Sequence, residues 1–347
     1  LTDVTGVQTC ALPILGGTSP TPPSGCTGDY CPGYNSATAN TDDWLCDPDG
    51  IPGTEFVVTR TPEQLAADGQ RSVVTNVGTD FTGPAEHAVG RAARLAATQG
   101  ATLEIAHVLA PRPTWAPEPP AEPAVLLDAA RAAVVQPGLA VHTCLLRGGV
   151  ARTLARRAAA LGADLLVIGA RRERTLRDRL RGTMAEQLLD RWPGPLLVVR
   201  TAPTADYARP LLGVALGPAS DAVLHVAAEL APLGELALLH VYEPPFETKL
   251  LAHGLAEHII ARHHHATREE AARALAALLQ RSPARPAVSS RLERGEPIGG
   301  LLREARQRLA DLLVVGRSPA GVATLLLGGA TKAVLRDAQT DVLGAAR

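Results

Sequence analysis

Residues Asp164–Thr183 read DLLVIGARRERTLRDRLRGT. An apolar run, Leu165–Ile168, turns at Gly169 into a loop with arginines at 171, 172, 174, 177, 179 and 181. The loop closes on Gly182-Thr183, ahead of the helical pattern MAEQLLDR. A short apolar strand, a basic loop and a hydroxyl residue at a helix start form a plausible anion-binding device, because the first turn of a helix carries free N–H groups and a partial positive charge. A related stretch returns at Asp311–Lys332, DLLVVGRSPAGVATLLLGGATK.

The echoes extend outward from this pair. Ala163–Gly169 (ADLLVIG) matches Ala310–Gly316 (ADLLVVG), and Ile105-Ala106-His107-Val108 matches Leu238-Leu239-His240-Val241. The offset is 147 at the first pair and 133 at the second, so 14 residues are inserted in the second copy. They fall mostly in a long helical region, about 246–281. Two copies of one unit follow from this self-similarity. Within each copy, apolar strands alternate with helical patterns. In the first, strands are expected at 72–77, 101–108, 139–146, 164–169 and 196–199. Helices are expected at 84–98, 124–135, 149–161 and 182–191. In the second, strands are expected at 211–216, 235–241, 287–293, 311–316 and from 341. Near-continuous apolar strands separated by helices predict a parallel sheet covered on both faces. The expected architecture is α/β, with two tandem doubly wound domains over 70–203 and 204–347. Each is expected to be a five-stranded, mostly parallel sheet with helices on both faces.

Residues 1–69 differ in kind. They are rich in Gly, Pro, Ser, Thr and Asp and show no sustained period. They read as a disordered or artefactual N-terminal segment. The opening LTDVTGVQTCALPI resembles translated sequencing adapter, so Leu1–Ile14 is expected not to belong to the biological protein.

Charge is uneven. Residues 1–69 carry 1 basic against 9 acidic side chains, 70–203 carry 17 against 11, and 204–347 carry 16 against 15. The middle segment suits an anion. A nucleic-acid partner is not expected, because no basic stripe with interleaved aromatics occurs. No apolar run reaches the ~20 residues of a membrane span. With no basic n-region at the start and four of five cysteines in the first 46 residues, no secretory signal or disulfide framework is expected, and the compartment reads as cytoplasmic.

Several residues have plain alternatives. Cys26, Cys31 and Cys46 lack the spacing and the histidines of a zinc site. His253, His258, His263, His264 and His265 read as a polar helix face rather than a metal site, and Cys144 as a buried thiol. Asp80 at a strand end, Gly182-Thr183 and the arginines also fit a helix cap, a helix start and a solvated face. There is no G-x-S-x-G, H-E-x-x-H or Walker lysine motif, so no enzyme is expected, with slow ATP hydrolysis left open.

Four features together resemble the universal stress proteins in their tandem two-domain form, over roughly Arg71–Arg347. They are VGTDFTGPA (77–85) with VALGPAS (214–220), the His-Val ending of the second strand, the passage ALGADLLVIG (160–169), and that family's G-x2-G-x9-G-[S/T] loop. VYEPPFETKL (241–250) also looks like the tandem form's connection in the second half. The resemblance implies ATP or a related adenine nucleotide in the first half. Asp80 and Val108 would lie at the adenine, and Gly169, Gly182 and Thr183 around the phosphates. Arg172 stands at the family's second glycine. There it blocks the close backbone approach or contacts phosphate through its own donors. The second half departs further, with Ala215, Pro319, a gap of eight, and Gly329 in place of the Asp, the second Gly, the gap of nine and the hydroxyl residue. No nucleotide is expected there, and no metal beyond a nucleotide-bound Mg. The resemblance also implies a pseudo-dimer within the chain through its last strands, covering the edges at Leu196–Val199 and near Val342, and an unknown protein partner. A homodimer of the whole chain is left open. The implied function is ligand-gated stress signalling. The alternatives are a scaffold with two relic loops and, behind it, a hydrolase or transferase on the same fold.

Overall fold

The computed structural model describes residues 45–46, 56–58, 72–75, 81–110, 122–170, 183–217, 220–243, 257–281, 288–317 and 327–345. The chain divides into two compact units, Leu1–Asp164 and Leu165–Arg347.

The first unit holds β1 (Leu45–Cys46), β2 (Phe56–Val58), β3 (Ser72–Thr75), α1 (Gly83–Gln99), β4 (Thr102–Leu109), α2 (Pro123–Ala132), β5 (Val141–Arg147) and α3 (Val150–Ala160). Its sheet runs β1-β2-β5-β4-β3. β3, β4 and β5 pair in parallel, while β2 pairs antiparallel to β5, Val57 opposite Leu145. Two short strands thus arise in the N-terminal segment, where the sequence shows no period. α1 starts after Thr82 with a proline in its first turn and ends at Gly100, whose left-handed φ of 61° lets Ala101 N–H reach the Ala96 carbonyl. α3 buries Ala151, Leu154, Ala155 and Ala158, one face at helical spacing.

The second unit holds β6 (Leu166–Gly169), α4 (Met184–Leu189), β7 (Leu196–Val199), β8 (Pro210–Gly213), α5 (Ser220–Leu230), β9 (Ala237–Tyr242), α6 (Glu257–Arg281), β10 (Ser289–Arg294), α7 (Pro297–Gln307), β11 (Leu312–Gly316), α8 (Leu327–Asp337) and β12 (Asp341–Ala345). Its sheet has seven strands, β10-β9-β8-β11-β12-β7-β6. The five from β10 to β12 are the expected sheet of the second copy, all parallel. Strand order reverses at β8/β11, so right-handed crossovers place helices on both faces. β12 then pairs antiparallel with β7, Val342 opposite Val198 and Leu343 opposite Leu197. The last strands of the two repeats therefore do pair. The consequence is that β6 and β7, the fourth and fifth strands of the first repeat, share a sheet with the second repeat. All four residues of β7 are buried, as in a central strand.

The repeats end one equivalent helix in the same left-handed turn with different residues. α3 closes on Gly162, φ 61°, with Ala163 N–H bonded to the Ala158 carbonyl. α7 closes the same way on Leu309, φ 51°, with Ala310 N–H bonded to the Ala305 carbonyl. A side chain in the left-handed region costs about 1–2 kcal/mol. Leu309 is 68% exposed, so its removal loses little packing. After the entropy of a freer unfolded chain is subtracted, about 0.4–1 kcal/mol, Leu309→Gly should stabilise the protein by about 0.5–1 kcal/mol. Urea unfolding checks this, and a lower midpoint would refute it.

Candidate functional site

Of the six sequence-derived site residues, Asp80, Arg172 and Gly182 lie outside the described residues. Val108 belongs to the first unit; Gly169 and Thr183 belong to the second.

In the first unit, β4 carries Val108 into the sheet opposite Leu146 and leaves it 6% exposed. Its neighbour His107 stacks on Phe81, with ring centroids 4.7 Å apart. Phe81 has φ 53°, and its counterpart after Ala215, Leu216, has φ 54°. Both turns between first strand and first helix therefore pass through the left-handed region at a residue with a side chain, a local strain.

In the second unit, Gly169 ends β6, and Ala170 N–H continues the ladder to the Val199 carbonyl at 2.8 Å. Thr183 is the N-cap of α4. Its hydroxyl accepts from Glu186 N–H at 3.3 Å, and the Glu186 carboxylate accepts from Thr183 N–H at 2.6 Å. This reciprocal capping box is written in the sequence as Thr183-Met184-Ala185-Glu186, a signal the sequence analysis passed over. The other Glu186 oxygen accepts from Arg336 of α8 at 2.7 Å. Burial alone raises the Glu186 pKa, but the Arg336 guanidinium and the Thr183 N–H outweigh it and hold the carboxyl below its ordinary range.

The second repeat is built differently at the matching places. Ala215 is exposed at the end of the first strand. His240 Nδ1 lies 2.7 Å from the Val214 carbonyl, and burial lowers its pKa. Gly328 and Gly329 lie within α8, which starts at Leu327, whereas α4 starts only after Thr183. Thr331 donates its hydroxyl to the Gly316 carbonyl at 3.0 Å. Arg317, next after Gly316, donates Nη1 to the Trp192 and Gly194 carbonyls at 2.7 and 2.8 Å, and Nη2 to the Leu189 carbonyl. Pro319 lies outside the described residues.

Cys144 is a buried free thiol whose pKa is pushed up by burial and by the Glu104 charge. On α6, His265 faces Glu269 at 3.6 Å, and His264 Nδ1 lies 3.3 Å from Arg294. His253 is outside the described residues. Among the described residues no group of three His, Cys, Asp or Glu side chains could hold a metal ion. None of the described helices is long and apolar enough to cross a membrane.

Comparison with known proteins agrees with the repeat. The sequence matches the universal stress protein family twice, over residues 75–200 and 207–344. It is 32% identical, over 293 residues, to a universal stress protein of Mycolicibacterium smegmatis, covering 77% of this chain and 95% of that one. Among solved structures it is similar to a universal stress protein of Archaeoglobus fulgidus, with a TM-score of 0.53 at 17% identity over 80% of this chain and 97% of that one. It is also similar to a functionally unknown protein of Pseudomonas aeruginosa, with a TM-score of 0.53 at 19% identity over 81% and 94%. At these identities the structural likeness speaks to the fold, and the family follows from the double sequence match: the chain belongs to the universal stress protein family, with two such domains in tandem.

Proposed function

We propose that the chain is an asymmetric tandem stress-response protein that binds ATP or a related adenine nucleotide in its first repeat and uses the second as a structural partner. It acts by binding rather than by catalysis. Nucleotide occupancy shifts its population between two forms, which a partner protein reads. The supporting observation is the contrast between the loops. The first keeps Gly169 at the strand end and Thr183 as the cap of the following helix. The second has Thr331 bonded to Gly316, Arg317 bonded to three main-chain carbonyls, and its glycine pair inside a helix. Asp80, Val108, Gly182 and Arg172 complete the proposed site. Arg172 meets phosphate through its fork of donors, and any metal is the nucleotide's own Mg.

Titration calorimetry of the full chain with ATP, ADP and AMP tests this. One binding event per chain is expected. Asp80→Ala and Gly182→Val should weaken it by about tenfold or more, the scale of one lost charge-assisted bond. Pro319→Gly should not add a second event. Absence of heat at millimolar nucleotide would sink the reading. A scaffold without nucleotide is favoured by one observation, the Glu186 carboxylate already bonded to Thr183 N–H. The same titration separates the two.

A further inference from the structure

α4 is the helix that terminates the first repeat's loop, and it is only six residues long. A helix this short has little stability of its own. Cations of the second repeat meet it at both ends. At its start, Arg336 holds Glu186, the side chain that caps the first turn. At its end, Lys332 pairs with Asp190 at 2.7 Å. Beyond that, Arg317 gathers the carbonyls of Leu189, Trp192 and Gly194, which span the turn from α4 into β7.

Neighbouring carbonyls of this turn have other donors. Gln187 accepts from the Arg191 side chain at 2.8 Å, Leu188 from the N–H groups of Arg191 and Trp192, and Pro195 from the Trp192 indole at 2.9 Å and from Leu166 N–H. Arg317 takes three of those between. A guanidinium at a helix C-terminus also meets the negative end of the helix dipole.

This arrangement is one-sided. The residue equivalent to Arg317 in the first repeat is Ala170. The antiparallel pairing of β7 with β12 sets Leu197 opposite Leu343. Taking these two as equivalents, Gly344 corresponds to Val198. A Cβ at Gly344 would stand 3.3 Å from Leu189 and 3.6 Å from the Arg317 stem. Gly344 thus leaves room for Leu189 beside the Arg317 stem, room that a valine at 344, the residue type at 198, would press upon. The second repeat lacks the loop pattern and carries at this place an arginine that bonds to the end of the other repeat's helix.

We infer that Arg317 is a positioning residue for the first repeat: the altered loop of the second repeat fixes α4, and through it the end of the loop at Thr183. The consequence for ligand affinity rests on the nucleotide reading above; the consequence for α4 does not.

Hydrogen–deuterium exchange and ATP titration on the full chain, wild type beside Arg317→Ala and Arg317→Lys, test it. In Arg317→Ala, amides of 184–195 should exchange at least about tenfold faster, the scale of one lost charge-assisted bond. Amides of β8, β9 and β11 should exchange as in wild type. ATP should bind about tenfold more weakly. Lysine restores the charge but not the fork that reaches three carbonyls, so Arg317→Lys should fall between. Unchanged exchange over 184–195 overturns the inference. So does an equal rise throughout the second unit, which would mark general destabilisation, or faster exchange with ATP affinity unchanged. If the wild-type chain binds no ATP, the nucleotide reading fails, and the exchange pattern alone decides the role of Arg317.

Discussion

Asp341→Ala is expected to lower the unfolding free energy by about 3–5 kcal/mol, the cost of leaving several buried and half-buried donors without their acceptor. Asp341 is fully buried at the first position of β12. One carboxylate oxygen accepts from the N–H groups of Arg200 and Thr201 at 2.8 and 3.1 Å and from the Thr201 hydroxyl at 3.0 Å. The other accepts from the Tyr207 hydroxyl at 2.7 Å, and Tyr207 is 2% exposed. Each donor left without an acceptor costs about 1–3 kcal/mol, and some regain water. Asp341→Asn keeps an acceptor for the main-chain donors, and the Tyr207 hydroxyl can rotate to accept from its amide. It should therefore cost about half as much or less. Urea unfolding measures both; a loss below about 1 kcal/mol for the alanine variant would mean that water replaces the carboxylate. The segment affected, 200–207, joins the two sequence repeats.

Arg157→Ala should destabilise the chain by a similar ~3–5 kcal/mol. Arg157 of α3 makes two bonds to Glu104 of β4, 3.0 and 2.6 Å long, with the side chains 4% and 3% exposed. Truncation leaves a carboxylate buried without its main counter-charge. The double variant Glu104→Leu, Arg157→Met removes both charges and should recover most of the loss, because an apolar pair avoids the desolvation cost. Burial alone would lower the Arg157 pKa, but Glu104 outweighs it and raises the pKa. A raised pKa contributes stability that is fully present below the ordinary arginine value and is lost as pH rises through the folded one. A double variant as unstable as the single one would refute the argument.

The same layer of the second repeat carries the reversed polarity. Glu304 occupies the place of Arg157 and Arg291 that of Cys144. Glu304 accepts from Arg291 at 2.9 Å and Arg308 at 2.6 Å. Burial raises the Glu304 pKa, and the two guanidinium groups more than offset it. Two homologous folds thus keep a buried charged helix position while exchanging its sign. Pattern matching on Ala163–Gly169 and Ala310–Gly316 does not reveal this, since Glu104 and Arg291 lie on other elements, the strands β4 and β10.

The strands and helices were legible in the sequence wherever an apolar run or helical stripe met a Gly or Pro boundary. β7 was read at its observed bounds, and β11 began one residue later than read. Less legible were features whose signal is a single residue. Leu309 in a left-handed cap looks like one more helical leucine, and only comparison with Gly162 marks it. At the candidate site, the family resemblance singled out Gly169 and Thr183, which stand at a strand end and a helix cap. Glu186 was overlooked because its role depends on a hydrogen bond back to Thr183 rather than on the glycine pattern.

By itself the sequence determined the α/β class and the two repeats, because hydrophobic period and self-similarity are local properties of a stretch, and its motifs carried the resemblance to the family. Tertiary structure alone decided that Asp341 gathers the segment between the repeats and that Arg317 reaches α4. Each of these joins residues more than a hundred positions apart. Which distant group satisfies a buried carbonyl or carboxylate is set by the closure of the sheet, and no local pattern encodes that choice.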